Sequence, residues 1–95
     1  MTPAEAERPL IRKGIQAVAD VQAVLGYVRR RLDDTSRNYR MSDTLAEIGQ
    51  GAPLTEAETD AWTNAETRIA ELTCAIGESA SLLRWLERID SGYES

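Results

Sequence analysis

Residues 11–39 read IRKGIQAVADVQAVLGYVRRRLDDTSRNY, and this stretch decides the fold. Ile11, Val18, Leu25, Leu32 and Tyr39 recur every seven residues, and Gly14, Val21, Val28 and Thr35 stand three places after the first four of them. A spacing of three and four repeated over several heptads places one apolar stripe along an α-helix and excludes the strict alternation of a half-buried strand. The reading is a helix over about residues 10–41, a rod of roughly 45 Å at 1.5 Å per residue.

The same pattern returns downstream. Trp62, Ile69, Ile76 and Leu83 form one row and Ala65, Leu72, Ser79 and Leu86 the other, so a second long helix is expected over about residues 55–90. Thr55-Glu56-Ala57-Glu58 opens it as a capping box, and Thr2-Pro3-Ala4-Glu5 has the same form. Pro9 argues for a short helix over about residues 3–8 and a fresh start near Leu10. Between the long helices lies a connection over about 42–54, in which Gly49-Gln50-Gly51-Ala52-Pro53 cannot continue a helix. Ser42-Asp43-Thr44 within it reads as one isolated helical turn, and residues 91–95 read as a tail. The expected fold is a single all-α domain over residues 1–95, an antiparallel helical hairpin with a short N-terminal helix.

Composition excludes several function classes. The 95 residues contain no histidine and one cysteine, which removes the commonest general base, disulfide scaffolds and cysteine-rich zinc sites. Cys74, Ser79 and Ser81 have no basic partner at a useful spacing, and the carboxylates Glu56, Glu58 and Asp60 sit on a helix that offers no cleft. No enzyme activity, cofactor or metal site is expected. No apolar run reaches the roughly 18 residues of a membrane span, and Met1–Glu7 lacks the pattern of a secretory signal, so a cytoplasmic location is expected.

Two helices bury only the seam between them, and both carry further apolar residues. Leu10, Ala17 and Val24 widen the first stripe, while Leu82, Trp85 and Ile89 widen the second. Folding at the Gly49–Pro53 break brings Leu10, Ile11 and Ile15 level with residues 82–86. The expected partner or oligomer interface is therefore Leu10, Ile11, Ile15, Leu82, Trp85, Leu86 and Ile89, with two hairpins dimerising into a four-helix bundle. On this reading the chain is an interaction module, an inhibitor, adaptor or regulator of the kind phages also encode, that works by occupying a partner protein's surface.

An alternative reading starts from Arg29, Arg30 and Arg31, followed by Arg37 and Arg40, with Tyr27 and Tyr39 nearby. Interleaved arginine and tyrosine suits phosphates and bases, so Tyr27, Arg29, Arg30, Arg31, Arg37 and Arg40 form a candidate anion, nucleotide or nucleic-acid site. The competing expectation is internal pairing at helical spacing, Arg29 with Asp33, Arg30 with Asp34 and Asp33 with Arg37. A structural role in a larger assembly is the third reading. The net charge of -5 divides unevenly: residues 1–41 hold eight basic and five acidic groups, and residues 42–95 hold three and eleven.

In outline the chain resembles the small secreted helical hairpins that carry a Trp-x-Gly turn. Here the turn reads Gly49-Gln50-Gly51, the nearest tryptophan is Trp62 inside the second helix, and Tyr93 stands too near the end for that class's tyrosine–acid export signal. No function is carried over from it.

Overall fold

The computed structural model of the chain describes residues 3–92 and has two helices, α1 over Pro3–Glu47 and α2 over Glu56–Gly92, with no strand among the described residues. They form an antiparallel helical hairpin, in which Arg12 meets Asp90 and Ser36 meets Glu66. The capping box of α2 is in place. Thr55 Oγ1 accepts from the Glu58 backbone N–H at 3.1 Å, and Glu58 Oε1 accepts from the Thr55 N–H at 3.0 Å. The box read at Thr2 lies outside the described residues.

Three boundaries differ from the sequence reading. The short helix over 3–8 and the restart at Leu10 are replaced by one continuous helix that includes Pro9. Pro9 removes the bond to the Glu5 carbonyl and its ring crowds that carbonyl, a local cost that the helix absorbs. Asp90 also draws the segment onto α2 through Arg8 at 3.5 Å and Arg12 at 3.3 Å. At its other end α1 runs on to Glu47, so Ser42-Asp43-Thr44 continues the helix, with Thr44 Oγ1 donating to the Arg40 carbonyl at 3.0 Å. Finally, α2 extends to Gly92.

The stop itself falls where the glycines predict it. Gly49 takes a left-handed φ of 75°, its N–H donates to the Ala46 carbonyl at 3.1 Å, and the Gln50 N–H donates to the Leu45 carbonyl at 2.8 Å. These are the two bonds of a Schellman motif, which satisfies the last carbonyls of α1 and needs a residue free to adopt positive φ.

The chain divides into two compact units, Met1–Gly26 with Cys74–Ser95, and Tyr27–Thr73. In the first, Leu86 is buried and packs over Gly14. In the second, Ala65 and Ser36 are buried. Both predicted rows of α2 face inward, each residue buried or half-buried. On α1 the row Ile11, Val18, Leu25, Leu32, Tyr39 also faces inward, but its companion row is Ile15, Gln22, Arg29 and Ser36. The expected companions Val21, Val28 and Thr35 are exposed one position away. Steps of three-then-four and four-then-three both hold a helical stripe, and they differ by a 100° turn of the second row. The polar partners that α2 offers to Ser36 favour the second choice.

Candidate interaction surface

In the unit built from residues up to Gly26 and from Cys74 onward, the seam leaves much apolar surface uncovered. Leu10, Val21, Val24, Leu82 and Trp85 are between 45% and 66% exposed. On α1, Leu10, Gly14, Ala17, Val21 and Val24 follow steps of four and three, which makes them a second heptad stripe beside the seam. On α2, Leu82, Trp85 and Ile89 have the same spacing. The two stripes meet at an apolar groove of about 270 Å³ lined by Ala17, Val18, Val21, Ser79 and Leu82. One face of this unit is therefore apolar across both helices.

This placement sorts the residues expected at an interface. Leu10, Leu82 and Trp85 lie on the open face. Ile11, Ile15 and Ile89 are half-buried, and Leu86 belongs to the hairpin's own core. Val21 and Val24 join the face in their stead. The sequence signal for them was present in the heptad spacing, but it assigned Val21 to the seam.

Gly14 lies between the seam and the open stripe. A Cβ added there would stand 3.7 Å from Leu86 Cδ1, an ordinary contact, so the hairpin's own packing does not demand glycine. Glycine inside a helix costs about 1 kcal/mol relative to alanine.

The unit Tyr27–Thr73 is held by a polar cluster that composition and spacing did not reveal. Ser36 Oγ donates to Glu66 Oε1 at 2.5 Å, and Trp62 Nε1 donates to Ser36 Oγ and to Glu66 Oε1, each at 3.2 Å. Arg40 adds an ion pair to the same carboxylate at 3.4 Å. Ser36 is 3% exposed, so its hydroxyl is a buried polar group whose partners are all supplied by α2. The hydrogen bonds from Ser36 and then Trp62, with Arg40 beside them, hold the Glu66 carboxyl below its ordinary value. Shifting α1 along α2 by one residue would strand these groups, so the cluster fixes register.

The arginines are not gathered into one cradle. Consecutive residues leave a helix at 100° intervals, so Arg29, Arg30 and Arg31 point to three sides. Arg29 turns into the seam, 4.0 Å from Asp33, while Arg37 pairs with Asp34 at 3.8 Å and Arg40 with Glu66. The expected Arg30–Asp34 and Asp33–Arg37 pairs do not form. Arg30 and Arg31 are exposed, as is Tyr27. Across the hairpin Arg40 reaches Glu66, while Glu58, near the start of α2, serves the cap.

Cys74 is exposed, and among the described residues no helix is long and apolar enough to cross a membrane. Comparison with family models, with curated proteins and with solved structures finds no match to this chain.

Proposed function

We propose that the chain is a non-enzymatic interaction module that acts by packing its open apolar face against helices of another polypeptide. Occupying a surface in this way is how an inhibitor, adaptor or regulator works, and two hairpins packed face to face make a four-helix bundle. The observation that carries the reading is the uncovered stripe Leu10–Ala17–Val21–Val24 with Leu82 and Trp85 beside it. Isolated exposed apolar residues are ordinary, whereas a contiguous apolar face built from two helices marks a contact surface.

Site-specific photocrosslinking tests this. A photoreactive phenylalanine analogue at Val21 or Trp85 is expected to link the chain to a discrete polypeptide in the cells that make it, whereas the same group at the exposed polar Thr67 links to none. Equal labelling from all three positions, or none from any, removes the reading.

A further inference from the structure

The unit Tyr27–Thr73 carries a different face, on the side of α1 turned away from α2. Arg30, Arg37, Met41, Leu45 and Ile48 are spaced by seven, four, four and three residues, so they share one side of the helix. Leu32, Ser36 and Tyr39, which face the seam, lie on the opposite side. Met41, Leu45 and Ile48 are 61%, 38% and 62% exposed, so the chain itself does not cover this row.

We infer that this face is a docking site for an acidic amphipathic helix of a partner protein. The partner's apolar row lies along Met41, Leu45 and Ile48, and its carboxylates meet Arg30 and Arg37. The inference adds a site on a separate unit to the interaction reading above.

The first argument is the shape beside Met41. A groove of about 310 Å³ is lined by Arg37, Arg40, Met41, Thr44 and Leu45. Arginine lays its carbon stem along apolar surface and keeps its charge at the edge. The groove therefore selects an apolar side chain with negative charge next to it, which is what a helix with an apolar row and acidic flanks presents at three- and four-residue spacing.

Charge supplies the second argument. Arg30 and Arg31 hold no carboxylate among the described residues. Arg37 holds Asp34 at 3.8 Å, with both side chains more than 60% exposed, and an exposed pair of this kind is worth about 1 kcal/mol or less. These arginines are thus available to an incoming carboxylate. The rest of the surface repels one, since residues 42–95 hold three basic and eleven acidic groups. An acidic partner is directed to the outer side of α1 and away from α2. From Arg30 to Ile48 the face runs about 27 Å, the length of roughly five helical turns.

An anionic bilayer also offers negative charge to arginine and apolar volume to methionine. It extends beyond one helix face, however, and Asp43, Glu47, Glu56, Glu58 and Asp60 crowd this end of the hairpin. A flat anionic surface meets those carboxylates together with the arginines, whereas a single helix lying along α1 avoids them.

A photoreactive phenylalanine analogue at Met41 of the full chain, expressed in the cells that make it, tests the site. Sequencing of the crosslinked segment is expected to show apolar residues at three- and four-residue spacing and a net negative charge. Arg30→Glu with Arg37→Glu should lower the yield by about tenfold or more and leave the Trp85 crosslink unchanged. Circular dichroism checks that the variant is helical; Arg30→Gln with Arg37→Gln removes the charges at similar length and should also lower the yield. A basic or non-helical segment overturns the inference, as does a yield that either folded double variant leaves unchanged. Arginine-dependent sedimentation of the purified chain with phosphatidylserine vesicles overturns it in favour of a lipid surface. Absence of the Met41 crosslink while that of Trp85 persists removes this site alone; absence of both removes the interaction reading with it.

Discussion

Leu86 and Leu82 stand four residues apart on α2, and truncating each to alanine separates the hairpin's core from its open face. Leu86→Ala removes three carbons from a residue that is 8% exposed, so at about 0.8 kcal/mol per buried carbon the transfer loss is about 2 kcal/mol. Incomplete collapse around Gly14 brings the total to about 2–3 kcal/mol, toward the lower end of measured leucine truncations because two helices close over a small gap easily. Leu82 is 45% exposed, and the same arithmetic gives about 1 kcal/mol within one chain. A domain of this size shifts by roughly 4–8 °C per kcal/mol. Leu86→Ala should therefore lower the melting temperature by roughly 10–20 °C, and Leu82→Ala by roughly 4–8 °C, in protein dilute enough to be monomeric. Thermal unfolding followed at 222 nm, at about 2 µM and about 200 µM, adds a second discrimination. The Leu86→Ala deficit should be nearly independent of concentration. The Leu82→Ala deficit should grow, because the wild type gains association that the variant loses. A Leu82→Ala deficit as large as that of Leu86→Ala in dilute protein would refute the division of core from face.

The Ser36–Glu66 cluster predicts a pH dependence. The folded carboxyl titrates below its unfolded value, so its stabilisation is present above about pH 4.5 and fades as pH falls through the lower, folded pKa. Ser36→Ala and Glu66→Gln should both melt earlier than wild type at pH 7 and converge with it toward pH 3, and parallel pH profiles would show that the cluster contributes nothing. Thr55→Ala loses the N-cap of α2 and should cost about 1 kcal/mol in denaturant unfolding. Pro9→Ala restores one backbone bond in α1 and should raise amide protection over residues 9–13, where unchanged exchange would mean that this bond adds nothing to the segment's stability. Gly14→Ala should stabilise the hairpin by up to about 1 kcal/mol in denaturant unfolding, because its Cβ would meet Leu86 Cδ1 at an ordinary 3.7 Å; a loss of stability would mean that the seam is closed more tightly there.

Much of this fold is legible in one sequence because the signals are local. The Thr55 box and the Gly49 stop depend on residues within five positions of each other, and both form as read. Pro9 misleads because its cost is local, while what holds the segment in place is not. Arg8 and Arg12 reach Asp90 across a separation of some eighty residues that no local rule encodes. Ser36 and Glu66 are ordinary polar residues until a fold puts them opposite each other, so nothing in their own neighbourhood marked them.

The displaced row of α1 carries the most weight. A hairpin free to choose by apolarity alone would have turned Val21 and Val28 onto α2, yet it turns Gln22, Arg29 and Ser36 there instead. Burying polar groups is tolerated where partners await them, as at Ser36, which bonds to Glu66 and Trp62 with Arg40 beside them, whereas the buried Arg29 Nε makes no hydrogen bond. The valines are thereby left on the outside, in a row with Leu10 and Ala17 and with a spacing as regular as the seam's own. A helix that keeps two heptad stripes and spends only one on its neighbour within the chain is patterned for two neighbours. The polar seam fixes how the hairpin closes, and the apolar stripe is left for whatever the hairpin meets.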